Sequence, residues 1–307
     1  MKGVKEVAVL LMMVGMCWSW GYTGHQTVAQ LADTLLTPQT AASVALLMEP
    51  GQTLAAISTW PDDYDESTTG SATECEHFVN MYQDQIEFNY SRNCGTVDGI
   101  GHCCVVASIR NYTRQVQDLV WERRRGNILP YLDGEPTPLS FLVHYIGDIH
   151  QPLHVSYDCD AGGNFVDTNF NGQSMNLHAV WDYGMIEEYL DDYVKLAALL
   201  LEEILHNPAI SERYELYMLP ELWATESYNE YTRHKVYDFS EDGLNSNIGD
   251  PVVYPFNTCP IEQTIDLPDS YYDRNILVIK QRLMAGGIRL AKLLNSIFDP
   301  SASTYVM

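Results

Sequence analysis

The sequence predicts a single, mostly helical domain carrying one small β-hairpin. Apolar residues recur at three- and four-residue intervals through most of the chain, as helices with one buried face require. One stretch, Asn164 to Met175, alternates instead and contains Asn171-Gly172, the dipeptide best suited to a two-residue hairpin turn. No internal repeat, low-complexity tract or linker divides the 307 residues, of which 46% are apolar and 19% charged. That balance supplies a sizeable core and excludes a disordered chain.

Taken in order, the first helical pattern spans Gly24 to Leu36. Thr37-Pro38 then reads as the cap and first position of a second helix reaching about Met48. Further patterns cover Cys104 to Arg125, Pro138 to Ile149, Trp181 to Leu205 and Ser270 to Leu294. Thr137-Pro138 opens the second of these. Pro152 blocks its continuation, because proline lacks the amide donor and its ring clashes with the preceding turn. Asp238 to Asp269 is rich in Asp, Asn and Pro and reads as a long ordered loop.

The chain begins like an exported protein. Lys2 and Lys5 precede an apolar run from Val7 to Met16, and the small residues Cys17 and Ser19 follow, as in a signal peptide occupying residues 1–19. The run is shorter than the ~20 residues a membrane span needs. The mature domain, residues 20–307, would then start at Trp20. Its C-terminus carries no hydrophobic anchor signal, so no stable membrane association is expected. Six cysteines remain in it: Cys75, Cys94, Cys103, Cys104, Cys159 and Cys259. An even number in an exported chain favours disulfides, although adjacent Cys103 and Cys104 are not expected to bond each other. Asn89-Tyr-Ser and Asn111-Tyr-Thr are acceptor sequences for N-linked glycans. A net charge of −24, from 17 basic against 41 acidic residues, excludes a basic groove that wraps duplex DNA. It does not exclude a polyanionic substrate whose charge is met by bound metal ions.

The histidines carry the chemistry. His144 and Asp148 stand four apart in Leu-Val-His-Tyr-Ile-Gly-Asp, one helical turn, and so share a face. His154 follows just past the helix end in Gln-Pro-Leu-His, and His178 with Asp182 repeats the four-residue spacing in Asn-Leu-His-Ala-Val-Trp-Asp. One such pair is an ordinary helix-surface contact. Two pairs with a third histidine between them point to a metal centre, and imidazole with carboxylate suits zinc. No His-Glu-x-x-His occurs, so the common zinc-protease helix is absent. If the mature chain starts at Trp20, its α-amino nitrogen and carbonyl oxygen can chelate a metal in a five-membered ring, with His25 close by. Composition alone favours the plainer reading, a core aromatic. His102, His150, His206 and His234 fit no ligand spacing; His150, beside the His144 helix, could support Asp148, but reads rather as a plain surface residue. The aromatics from Tyr214 to Tyr254 read as core packing.

Trp20-Gly-Tyr-Thr-Gly-His25, Ser58-Thr-Trp-Pro-Asp62, His77-Phe78, His144-Tyr-Ile-Gly-Asp148, Gln151-Pro-Leu-His154, Gly162-Gly-Asn164 and Asn176-Leu-His178-Ala-Val-Trp-Asp182 occur in an order that resembles the S1/P1 family of trinuclear-zinc nucleases. Gly287-Ile-Arg-Leu-Ala-Lys-Leu-Leu-Asn resembles that family's C-terminal ending. The resemblance implies a phospholipase C/nuclease-like helical fold and a secreted, zinc-dependent endonuclease. Its substrates would be single-stranded RNA and DNA, cut at P–O3′ bonds to leave 5′-phosphates, and 3′-nucleotides. No protein partner is implied. Three Zn2+ are: one on Asp62, His77, His144 and Asp148; one on the Trp20 terminus, His25 and Asp148; one on His154, His178 and Asp182. Two zinc ions ~3.5–4 Å apart on a shared carboxylate can activate water near neutral pH. The resemblance further implies catalytic roles for Asp62, which orients the water, and Asp148, which bridges. It makes Phe78 a stacking surface for a base, places Asn80 and Asn164 against the substrate, and pairs Cys94 with Cys104. No pairing follows for Cys75, Cys103, Cys159 and Cys259.

Two positions depart from the family pattern. Asn80 stands where the family has a carboxylate that contacts the base, and Asp65 stands where it has a basic phosphate contact. Two other readings share the donor set: a zinc phospholipase C, whose last ligand would be Glu rather than Asp182, and a secreted glycoprotein that keeps zinc for stability while binding a partner.

Overall fold

The computed structural model describes residues 20–65, 73–97, 100–125, 137–239, 264–299 and 301. The expected signal peptide, residues 1–19, lies outside them, as does most of the Asp238–Asp269 stretch. The first predicted pair of helices is present as α1 (Tyr22–Thr34) and α2 (Pro38–Ala45), the latter capped by Thr37, whose hydroxyl accepts from Thr40 N at 3.2 Å. Two short helices follow, α3 (Leu54–Ile57) and α4 (Trp60–Asp65). Then comes a segment that helical periodicity alone passes over: β1 (Val79–Met81), α5 (Tyr90–Asn93), β2 (Gly95–Val97) and β3 (Ile100–Cys103).

Strands β2 and β3 form an antiparallel pair that leads directly into α6 (Val105–Arg124). Neighbouring residues on extended chain point to opposite sides. Cys103 and Cys104 at this strand end accordingly reach different partners: Cys103 bonds Cys75, and Cys104 bonds Cys94. The second bridge is the expected one. The first supplies a pairing that spacing does not reveal, and Cys159 is disulfide-bonded as well.

Helix α7 (Pro138–Asp148) is the central element. Thr137 and Ser140 cap its start reciprocally, each side chain bonding the other's backbone N–H. Every residue from Leu139 to Asp148 is buried, so this helix shows no solvent stripe. After it, β4 (Val155–Tyr157) pairs in parallel with β1. Asn171-Gly172 makes the predicted two-residue turn between β5 (Asp167–Phe170) and β6 (Gln173–Asn176), with positive φ at both turn residues. The hairpin is not isolated, because a later strand joins its β5 edge.

The predicted helix from Trp181 to Leu205 is broken into pieces. α8 (Leu177–Ala179) opens into a π-helical stretch, Val180–Gly184, followed by α9 (Met185–Leu190) and α10 (Tyr193–His206). Asp192 causes the second break: its carboxylate accepts from Lys195 N at 3.1 Å and caps a fresh helix. α11 (Ala209–Glu215) and α12 (Pro220–Glu226) precede a second π-helical stretch, Ser227–Val236. Strand β7 (Ile265–Asp266), inside the region read as loop, pairs in parallel with β5. Last, α13 (Asp269–Phe298) runs through the core and packs against α1, α11 and α7. No helix among the described residues is long and apolar enough to cross a membrane.

Candidate metal centre

Helix α7 delivers His144 and Asp148 to one fully buried spot, as the four-residue spacing predicts. Ser58 O, from the turn between α3 and α4, accepts from His144 Nδ1 at 2.7 Å. A carbonyl oxygen can only accept, so this contact fixes the tautomer and turns Nε2 inward. There it lies 3.2 Å from Asp148 Oδ2 and 3.2 Å from Asp62 Oδ1. His77, in the turn before β1, adds Nδ1 at 3.0 Å from His144 Nε2 and 3.1 Å from Asp148 Oδ2. From α1, His25 lies flat on the His144 ring, centroids 3.9 Å apart, with Nε2 3.3 Å from Asp148 Oδ1. Asp148 thus divides its two oxygens between two groups of donors.

A third group is built the same way. His154 Nδ1 donates to His77 O at 2.9 Å and His178 Nδ1 donates to Gly162 O at 2.6 Å. Their two Nε2 atoms, each left with a lone pair, face each other at 3.2 Å, and Asp182 Oδ2 is 3.1 Å from His178 Nε2. Gln151, fixed through its own oxygen to Leu153 N, donates to Asp182 Oδ1 at 2.6 Å and so aims the other oxygen at the histidines. Gly162 has φ +63°, and a Cβ there would meet Leu153 O at 2.5 Å. Glycine is therefore required for its carbonyl to reach His178.

Lone pairs aimed at one another across 3 Å repel unless a cation lies among them. Neither Asp148 Oδ1 nor Asp182 Oδ2 receives a hydrogen bond, although both are buried. Three groups can each hold a metal ion: His25, His144 and Asp148; Asp62, His77 and His144; His154, His178 and Asp182. The donor set fits. Electrostatics agree with it. Burial pushes the Asp148 carboxyl up, but His144, His154 and His25 together overcome it and hold the carboxyl well below the usual range. Burial likewise pushes His144 down, and Asp148 with Asp62 overcomes this and raises it well above an ordinary histidine. Burial lowers His25 and His154, keeping both in the neutral form a ligand needs.

Gly147 is a residue whose importance spacing does not reveal. A Cβ there would lie 2.6 Å from His25 Nδ1. Alanine is preferred over glycine inside a helix by ~1 kcal/mol, so Gly147→Ala should leave α7 intact while displacing the His25 ring. We expect the folded variant to bind metal about tenfold or more weakly at the His25 group, the size of effect seen when ligand orientation is lost. Competition with a coloured chelator measures it.

Trp20 is fully buried and donates Nε1–H to Gly147 O at 2.9 Å, so its side chain is a core aromatic, as composition favours. The next residue, Gly21, donates its N–H to Asp182 O at 3.0 Å. The chain at Trp20 and Gly21 is thus fastened beside both carboxylate-bearing segments. Phe78 is half-buried directly after His77. Asn80 donates to Asp158 Oδ1 at 2.6 Å, and Asn164 is held by Ala161 O and by the Asn176 amide. Asn89 and Asn111 are exposed.

The surface reading of His150 is wrong. The residue is fully buried beneath α7, donates to Ile146 O at 2.6 Å and accepts from Arg289 at 2.9 Å. Arg282 and Arg289, seven apart on the apolar face of α13, are the overlooked signal. The aromatics Tyr214, Trp223, Tyr228, Tyr231, Tyr237 and Phe239 are core, as expected, but Tyr217 is exposed; Tyr254 lies outside the described residues.

Residues 20–299 match the sequence profile of the S1/P1 nuclease family. The chain belongs to the S1/P1 nuclease family. It is 30% identical to Endonuclease 4 of Arabidopsis thaliana, over 96% of this chain and 94% of that protein. It is 29% identical to Nuclease S1 of Aspergillus oryzae, over 94% and 96%, and 28% identical to Nuclease P1 of Penicillium citrinum, over 91% and 97%. The match begins at Trp20, where the proposed leader ends. The disulfides of this S1/P1 nuclease fit an oxidising compartment.

Proposed function

We propose that this nuclease is a secreted enzyme holding three zinc ions, which cleaves P–O3′ bonds in single-stranded RNA and DNA to leave 5′-phosphates and also acts on 3′-nucleotides. The observation that carries the reading is the convergence of eight buried or nearly buried His and Asp side chains, with the ring tautomers of His144, His154 and His178 set by carbonyls. Asp62, His77, His144 and Asp148 would hold one ion. Trp20 through its amino nitrogen and carbonyl oxygen, His25 and Asp148 would hold a second, and His154, His178 and Asp182 a third. Zinc bound there supplies positive charge for a phosphodiester and acidity to activate water.

The chain's own residues do the rest. Three carboxylates cannot neutralise three divalent ions, so the loaded site draws phosphate despite the acidic surface. Asp62 has a 16% exposed side chain, whereas Asp148 is fully covered. It is therefore the carboxylate that meets incoming water, and it orients the attacking oxygen. Phe78 offers a face to an unpaired base, a contact that tolerates any sequence. Asn80 and Asn164 would serve as polar contacts to the substrate.

One assay tests this. Purified protein is offered 3′-AMP, single-stranded DNA and phosphatidylcholine, each with and without a zinc chelator. Chelator-sensitive hydrolysis of the first two is expected. Hydrolysis of the lipid alone would replace the reading with a phospholipase C, and no turnover of any of the three would leave a zinc-stabilised binding protein.

A further inference from the structure

The stretch 148–154 has two faces. Asp148, Gln151 and His154 serve the metal centre, while the carbonyls of Ile149, His150 and Pro152 turn the other way. All three carbonyls are held by side chains from the C-terminal third of the chain, which contributes no metal-binding group among the described residues. Ser227 Oγ donates to Ile149 O at 2.6 Å, Arg282 Nε to His150 O at 3.0 Å, and Thr232 Oγ1 to Pro152 O at 2.6 Å. Ile149 and His150 lie past the end of α7, so their buried carbonyls need partners from elsewhere in the chain.

Glu226, the last residue of α12, ties the donors together. Its Oε1 accepts from Arg282 Nη1 and, at 3.0 Å, from Arg289 Nη1, while its Oε2 accepts from Arg289 Nη2 at 2.7 Å. Arg282 Nη2 also donates to Ser227 Oγ at 2.6 Å, and Arg289 Nη1 donates to His150 Nε2 at 2.9 Å. Aromatic rings box in both guanidinium groups: Arg282 lies over Tyr231 at 4.5 Å and Arg289 over Trp223 at 5.5 Å. Two fully buried cations share one carboxylate, and His150 is held at its carbonyl and at both ring nitrogens. A cheaper core would be apolar, because buried ion networks gain little net stability over well-packed hydrocarbon. What this network does provide is a fixed position for a backbone turn.

We propose that Glu226 is a positioning residue for the metal centre: through Arg282, Arg289 and Ser227 it fixes the turn that follows Asp148 and so sets the places of Asp148, Gln151 and His154. The proposal rests on the three-metal reading above. Removing the charge in Glu226→Gln would free the arginines to rotate and loosen the Ile149 and His150 carbonyls, leaving every metal-binding side chain in the sequence.

The test uses the full mature chain, with circular dichroism confirming that each variant is folded at the assay temperature. Zinc affinity is read by chelator competition, and site geometry by the visible bands of the cobalt(II)-substituted protein. For Glu226→Gln we expect affinity lower by about tenfold, as for loss of an outer-shell partner, altered cobalt bands, and a fall in kcat with little change in KM. Glu226→Asp, which keeps the charge, should recover part of each. If Glu226→Gln does not fold, Ser227→Ala replaces it: this variant removes one carbonyl clamp, keeps all charges, and should shift the cobalt bands in the same direction. A folded Glu226→Gln, or in its place Ser227→Ala, with wild-type zinc affinity and cobalt bands would overturn the positioning role while leaving the three-metal reading intact. A wild-type chain that binds no zinc would overturn both.

Discussion

Asp148→Asn is expected to remove nuclease activity more completely than any other single substitution in the chain. Its Oδ2 faces His77 and His144 while its Oδ1 faces His25, so one side chain serves two groups of donors. An amide keeps the shape but loses the charge and offers an NH2 where one of those groups needs an acceptor. Loss of a single preorganised charge contact at a reacting oxygen costs ~10²–10³ in kcat. Weakening two metal positions together places the expected loss at about 10³-fold or more, and elemental analysis should show zinc falling by more than one ion per chain. Asp182→Asn makes the comparison: Asp182 lies in the separate group with His154 and His178, away from His25, His77 and His144, so that variant should lose a single zinc. Equal zinc loss in the two variants would contradict the bridging role of Asp148.

Leaving one extra residue ahead of Trp20 is expected to be nearly as damaging. An additional residue turns the α-amino group into an amide, whose nitrogen lone pair is delocalised into the carbonyl and coordinates metal poorly. A free α-amino group titrates near pH 8, so a metal can compete with its proton. In the structure Trp20 and Gly21 are held in place. Trp20 is pinned through Nε1 to Gly147 O, and Gly21 N–H is bonded to Asp182 O. A retained tag should cost one zinc and most of the activity while the circular dichroism spectrum stays unchanged, and proteolysis that exposes Trp20 should restore both. A folded, uncleavable fusion with full activity would remove the terminus from the centre.

What could be read from the sequence divides along physical lines. His144 with Asp148 and His178 with Asp182 were legible because four residues bring side chains together on any helical turn. The second pair survives even though its helix is partly π-helical. Hairpin and caps were legible for the same reason: Asn171-Gly172, Thr37-Pro38 and Thr137-Pro138 act through their own local geometry. The assembly of His25, Asp62 and His77 with α7 is long-range, and only the resemblance to a family brought them together. Long-range packing also hid the Cys75–Cys103 bridge and the buried state of His150, both of which depend on elements far away in the chain. The break at Asp192 was a readable cap overridden by a strong apolar pattern on either side. Gly147 and Glu226 act through neighbours, and nothing in their own surroundings announces it.

Zinc content decides between a three-metal centre and a simpler one. Mature protein beginning at Trp20, purified without chelator and equilibrated against excess zinc before the free metal is removed, should carry three zinc ions per chain by elemental analysis. One zinc or fewer per folded chain would contradict the account.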